Sequence, residues 1–266
     1  MPIGSVSKQF CAAAVLKLQE EGKLSIDDDV QKYFPVYESA VGIKLRDLLS
    51  MRSGIPDFTE EIFEIASVDK TEEENTEILL KWLCEKPMNQ KPDTFYEYSN
   101  SNFFLLGNIV EQITGMKYID YLRENFFTPP GMKNTGNIAE MNSGAEWAKG
   151  VSFKQIDLQP GITKGAGDII STGADMSLWL NGLSSGKIIS AESFEEMITD
   201  RNHGEGYGYG IRTDFFWGVG HPGSIGTYVA IDSIDTESGI TVFYSSSTLG
   251  AAKVTPFTAE LVAVIE

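Results

Sequence analysis

Three small groups of residues in this chain are of types that could do nucleophilic chemistry at a carbonyl. Ser5 and Lys8 stand three apart in "IGSVSKQF", Tyr98 and Asn100 two apart in "YEYSNSNFF", and His221, Gly223 and Ser224 fall within "GVGHPGSIG". Helix positions i and i+3 share a face, so Lys8 would project beside Ser5, one turn on. A serine hydroxyl is a weak nucleophile until a neighbouring base takes its proton. The chain has only His203 and His221 to offer as histidine bases, which makes a lysine or tyrosine base the more economical idea. The plainer account of the first group is an N-cap serine and a solvated lysine. The same Ser-x-x-Lys spacing recurs at 67–70 and 184–187, but neither of those opens an apolar helix.

The elements that must position these groups follow from pattern. Pro2 and Gly4 suit a turn, Phe10, Ala13, Ala14, Leu16 and Leu18 fit a largely buried helix, and Gly22 is a C′ stop. Ser5 is thereby expected at a helix N-terminus, where unpaired N–H groups and the dipole favour an oxyanion. Tyr98 and Asn100 fall in a polar turn ahead of a helix with Leu106, Ile109, Val110 and Ile113 on its apolar face and a stop at Gly115. A packed tyrosine and a capping asparagine would give the same pattern. His221 to Ser224 lie in a glycine-rich turn and strand edge, where backbone can approach a ligand closely; alone, the segment reads as a hairpin turn. Further helices are predicted at "NTEILLKWLCEKP", "YIDYLRENFF", "TGADMSLWLNGL" and "SAESFEEMITD", with a meandering loop region across 128–167. The tail from about Gly206 to Ser247 reads as a three-stranded antiparallel meander, closed by a helix around "FTAELVAVI".

Composition narrows the classes of function. With 266 residues, 42% of them hydrophobic, the chain can enclose a substantial core in one large domain or two packed ones. A net charge of −17 argues against a nucleic-acid partner, which would need clustered Lys and Arg. Cys11 and Cys84 lie on separate predicted helices and read as packing residues. With no Cys or His cluster at ligand spacing, no metal and no cofactor are expected. No apolar run approaches the roughly 20 residues of a membrane helix. No leader pattern precedes Ser5, so the sequence as written is expected to be cytoplasmic, or exported if a longer precursor exists.

The three groups, in this order and with these flanks, resemble the serine β-lactamase and penicillin-binding protein superfamily, in its class C β-lactamase, DD-peptidase and esterase branch. The segments "IKLRDLLSMRSGIPDF", "YEYSNSNFFLLGNIVEQITG", "PPGMKNTG" and "GAGDIISTGADMSLWL" are also similar to that family. The resemblance implies an α+β fold of the β-lactamase/transpeptidase kind. A discontinuous sheet domain (1–22 and 165–266) would carry an inserted, mainly helical domain (23–164), with the site at their junction. It implies catalytic roles for Ser5, Lys8 and Tyr98 and substrate contacts by Asn100, His221, Gly223 and Ser224. Ser5 would form an acyl intermediate and Lys8 and Tyr98 would share the proton handling, the choice of base being open. A nearby ammonium is expected to lower the Tyr98 pKa. Asn100 would orient Lys8, the N–H groups of Ser5 and Ser224 would hold the oxyanion, and His221 would line the pocket beside Tyr98.

The implied substrate is a small ester, amide or β-lactam. Pro222 stands where penicillin-directed members often have a hydroxyl, which moves the expectation toward esters and other small acyl groups. The alternative is a catalytically silent binding or regulatory module. Family members usually carry a helix and two strands before the Ser-x-x-Lys helix, and almost nothing precedes Ser5 here. The segment "GITVFYSSS" is therefore expected to be an exposed sheet edge through which copies of the chain could pair.

Overall fold

A helix with no polar face has to be enclosed, and the first helix shows this. In the computed structural model, which describes residues 1–143, 159–201, 204–215 and 218–247, helix α1 (Ser7–Glu20) is buried without a break from Ser7 to Leu16. The other helices are α2 (Leu45–Leu49), α3 (Ile62–Ile65), α4 (Glu72–Glu85), α5 (Asn100–Thr114), α6 (Tyr118–Leu122), α7 (Gly173–Ser184) and α8 (Ala191–Ile198). Their ends follow local chemistry. Thr71 and Glu74 form a capping box on α4, Thr172 and Ser190 cap α7 and α8, and Gly115 closes α5 in the left-handed region at φ 70°. The segment "FTAELVAVI" lies outside the described residues.

The strands are β1 (Gly136–Asn137), β2 (Ile169–Ile170), β3 (Arg212–Phe215), β4 (Gly218–Gly220), β5 (Pro222–Ile225), β6 (Tyr228–Ile234) and β7 (Thr241–Ser246). All pairings are antiparallel. The tail is not the three-stranded meander that alternation suggests, because Arg212–Phe215 adds a strand against β4. β4 and β5 are one pass of chain in a single register with β6, Val219 facing Ile234 and Pro222 facing Ile231. Between them, at His221, the reciprocal backbone bond is replaced by a side chain: Asp232 N donates to His221 O, while His221 N donates to Asp232 Oδ1 at 2.8 Å. Beyond β6 lies β7, which pairs with no other described strand.

Residues 1–3 are held along β2, Ile3 N donating to Ile169 O and Ser171 N to Met1 O. A 3-10 turn, Gly4–Val6, then leads into α1, so Ser5 stands one turn ahead of the helix and not at its cap. From α1 a buried polar chain reaches the sheet. Trp179 Nε1 donates to Gln9 Oε1 at 3.1 Å, and Gln9 Nε2 donates to Asp232 Oδ1 at 2.8 Å. Phe10 stacks on Trp179 at 3.7 Å between ring centroids. Helix α1, α7 and the strand pass through His221 are thus fixed to one another by buried bonds whose loss would leave bare polar atoms.

Burial pushes the Asp232 carboxyl up to about 7, and its Oδ2 has no partner. The folded chain therefore keeps this proton between about pH 4 and pH 7 while the unfolded chain has released it. Folded stability from this group falls as pH rises through that window. His221, pushed down to about 3 by burial, works in the opposite direction over about pH 3 to 6.5. Replacing Asp232→Asn keeps the Oδ1 acceptor and removes the titration. Urea unfolding of both proteins at pH 4.5 and 7.5 is expected to show the variant gaining on the wild type by roughly 1–3 kcal/mol at the higher pH; an equal difference at both would refute the buried carboxyl's role.

Candidate active site

Lys8 joins two of the three predicted groups. It is fully buried, and its Nζ lies 3.1 Å from Ser5 Oγ, 2.7 Å from Asn100 Oδ1 and 2.6 Å from Ala166 O. Tyr98 OH reaches Ser5 Oγ from another side at 2.8 Å. Ser5, Lys8, Tyr98 and Asn100 are therefore in one hydrogen-bonded cluster. Ser5, Asn100 and Ser224 line a cleft of about 180 Å³, closed by Phe58, Ile62, Ala166, Gly167 and Ile225 among others. A second hollow of about 190 Å³ surrounds the buried Lys164 and its partners Glu72 and Glu111, and neither serine nor cysteine lines it.

Tyr98 and Asn100 are placed by the segment 51–58, which is laced to the start of α5. Glu97 N donates to Met51 O, Ser101 Oγ to Pro56 O, Phe58 N to Ser101 Oγ and Ser53 Oγ to Asn102 Oδ1. Asn100 donates twice to Asp57, through its backbone N at 3.1 Å and its Nδ2 at 3.2 Å. That leaves the Asn100 oxygen facing Lys8.

The direction of the Ser224 N–H follows from register. Gly226 and Thr227 make a two-residue turn between Ile225 and Tyr228, whose pairing is the hydrogen-bonded closing pair. Alternation then makes Ser224 and Val229 a non-bonded pair, so the Ser224 N–H points away from β6. It points at the Gly4–Val6 turn: a Cβ on Gly4, which has φ +53°, would sit 2.6 Å from Ser224 N. Ser5 N–H, in the first turn, has no acceptor within the helix. Pro222 also occupies a non-bonded position, so its missing N–H costs no ladder bond.

Burial shifts the titratable groups in different directions. Burial lowers the Lys8 pKa to about 7, against the opposing charge of Asp57, so the amine is half neutral near neutral pH. Tyr98 moves the other way. Its phenol is raised by burial, and only the Ser5 hydrogen bond acts to lower it, which corrects the expectation that the ammonium would make a phenolate available. His221 is neutral and 2% exposed, with Nδ1 against Pro222 O at 2.6 Å and Nε2 against Tyr207 OH at 3.0 Å. It packs behind Tyr98, ring centroids 6.2 Å apart, while Ser224 and Ile225 form that side of the cleft.

Four contributors escape a motif reading: the Ala166 carbonyl, Asp57, Tyr207 and Asp232. Ala166 acts through its backbone, which has no residue signature. Asp57 and Ala166 do lie in the family-like segments "SGIPDF" and "GAGD". Asp232 and Tyr207 become visible only when the strands are paired.

The family model described as Beta-lactamase matches residues 1–265. A protein of Bacillus subtilis named for penicillin binding, PbpX, is 29% identical over 203 residues, covering 74% of this chain and 49% of that protein. The D-amino acid amidase from Ochrobactrum anthropi SV3 superposes with a TM-score of 0.79 at 25% identity, covering 93% of this chain and 76% of that one. The penicillin binding protein from Bacillus halodurans shares the fold with a TM-score of 0.84 at 22% identity, covering 98% of this chain and 85% of that one. The chain spans about half, or less, of the length of the curated relatives it matches.

Gly223 is the tightest point of this arrangement. A methyl there would meet Ser5 N at 3.0 Å and drive into the Ile3 carbonyl, forcing β5 away from the Gly4–Val6 turn. Gly223→Ala is expected to slow acylation of Ser5 by p-nitrophenyl acetate on the order of 10²–10³-fold, the loss typical of one oxyanion donor. Stopped-flow release of p-nitrophenol checks this, and an unchanged rate would show that Ser224 N–H takes no part.

Proposed function

Since the chain belongs to the Beta-lactamase family, we propose that it is a serine hydrolase acting through an acyl–Ser5 intermediate on a small ester, amide or β-lactam, with uncharged esters and amides preferred. The observation that carries this reading is the double contact of Ser5 Oγ with Lys8 Nζ at 3.1 Å and Tyr98 OH at 2.8 Å. Counting hydrogens shows which state of the cluster could act. A neutral Lys8 has two N–H bonds, for Asn100 Oδ1 and Ala166 O, and one lone pair, for the Ser5 O–H. Ser5 Oγ then accepts from Tyr98. A charged Lys8 satisfies the same four contacts by donating to Ser5 Oγ, but only the neutral amine can accept the Ser5 proton.

In this reading Lys8, whose pKa burial lowers to about 7, is the base, and Tyr98, whose phenol burial raises, is not. The Lys8 lone pair takes the Ser5 proton as Oγ bonds to the substrate carbonyl carbon, and the carbonyl electron pair moves onto oxygen. The N–H groups of Ser5 and Ser224 hold that oxyanion, an interaction worth about 2.7–4 kcal/mol for one donor. Collapse breaks the bond to the leaving group, which takes the proton of Tyr98 OH, and Lys8 returns its proton to Tyr98. Water, deprotonated by the now neutral Lys8, then adds to the acyl carbonyl carbon; collapse breaks the Ser5 Oγ–carbon bond, Lys8 returns the proton to Oγ, and the acid leaves.

The charge around the cleft bears on the substrate. Neutral His221 supplies no cation, Pro222 supplies no hydroxyl, and the Asp57 carboxylate lies behind Asn100. Among the described residues that line the cleft none is a cation, so a substrate carboxylate would meet only hydroxyl, amide and backbone groups. The likeness to a D-amino acid amidase supports small amides as the class to test.

Intact mass after treatment with a fluorophosphonate, short acyl esters and a penicillin tests the reading: one adduct is expected, on Ser5, and absent from a folded Ser5→Ala variant. An adduct on another residue would sink it. For wild type, kcat/KM is expected to rise with pH through about 7 as Lys8 loses its proton. Lys8→Met is expected to lower the plateau on the order of 10²–10⁴-fold. Short esters should acylate faster than penicillins, and Pro222→Thr should improve penicillin acylation about tenfold to a hundredfold, the value of one hydrogen bond to a charged group. A variant that gains nothing would remove Pro222 from the argument.

A further inference from the structure

We propose that Asp57 is a positioning residue of this site: by taking both donors of Asn100 it turns that side chain's oxygen toward Lys8 and holds it there. This rests on the reading of Lys8 as the base that serves Ser5. The two ends of an amide side chain have almost the same shape, and packing alone discriminates poorly between them. A carboxylate is an acceptor at both oxygens, and here it meets Asn100 N at 3.1 Å and Asn100 Nδ2 at 3.2 Å. With Nδ2 so engaged, Oδ1 is left 2.7 Å from Lys8 Nζ. A flipped amide would aim N–H at N–H on one side and oxygen at carboxylate on the other.

Asp57 is itself held by the chain. Thr59 Oγ1 donates to its Oδ2 at 2.7 Å and Thr59 N to its Oδ1 at 3.4 Å. All four of these donors are neutral, and among the described residues Asp57 forms no ion pair. Lys8 is thus the cation that feels its charge, across one amide. Burial lowers the lysine's pKa and the Asp57 charge is the largest influence raising it. The other groups facing Lys8 are Cys11 on α1, Tyr98 before α5, His221 between β4 and β5, and Asp168 before β2. Burial raises the Cys11 thiol and the Tyr98 phenol, and keeps His221 neutral. Asp168, raised to about 7 by burial, titrates in the same range as Lys8 and needs its own control.

The experiment is a pH titration of the Lys8 13Cε resonance in lysine-labelled protein, the signal identified by its loss in Lys8→Met. Asp57→Asn is expected to lower the midpoint by about half a pH unit or more, whereas Asp57→Glu, which keeps the charge, stays near wild type, and Asp168→Asn moves it less than Asp57→Asn does. In parallel, the acid limb of kcat/KM for p-nitrophenyl acetate should move down with the midpoint in Asp57→Asn, and the plateau should fall on the order of tenfold as the amide loses its fixed sense. An unmoved midpoint in Asp57→Asn, or a larger effect from Asp168→Asn, overturns the proposal. The titration needs no turnover. A protein that hydrolyses nothing yet shows the shift would remove the hydrolase reading and leave the link from Asp57 through Asn100 to Lys8 standing.

Discussion

An amine with no access to water must either give up its proton or be surrounded by acceptors, and the centre of this protein is built around a lysine held between those two outcomes. Lys8 has three oxygens within hydrogen-bonding distance, from three separate parts of the chain. Burial alone would strip its charge. The Asp57 carboxylate, one amide away, pulls in the other direction. The result is an amine poised near neutrality, next to a hydroxyl that is useful only if a proton can leave it. The same burial that tunes Lys8 keeps Tyr98 protonated and His221 uncharged. One physical cause therefore assigns three roles.

The scaffold answers to this constraint. α1 is enclosed because the lysine it carries has to be. The turn ahead of it is held along β2 and pressed against β5, and glycines at 4 and 223 allow backbone to approach backbone where side chains would intrude. Trp179, Gln9 and Asp232 fix the helix to the sheet from behind. Little of this network could shift without moving a donor of the site.

Much of this was legible in the residues. The Ser5–Lys8 spacing, the Tyr98–Asn100 turn and the glycine-rich His221 segment converge as their combination suggests, and the helices of the middle of the chain lie where apolar periodicity and capping residues put them. What stayed hidden has a common cause. The Ala166 carbonyl is backbone. The direction of the Tyr98 shift depends on how deeply the ring is buried, and no local pattern reports that. Arg212–Phe215 is a strand because of what it pairs with, and Asp57 matters because of which end of Asn100 it touches. Spacing along the chain identifies groups that act, but it is mute about the groups that orient them.

The distances along the chain within the cluster carry a consequence for how the site comes into being. Lys8 waits on Asn100 from 92 residues away and on Ala166 from 158, and the Gln9–Asp232 bond spans 223. Contacts so remote in sequence are slow to form, because loop closure must precede any reward from them. During synthesis the serine and lysine emerge early and the strand bearing Ser224 emerges late. Until β5 and β6 arrive, Ser5 lacks the neighbouring Ser224 N–H and its helix lacks the anchor that Asp232 gives it. On the proposed reading, reactivity is in this way tied to completion of the fold: a partly made chain would carry Ser5 in an inert form until β5 and β6 have docked.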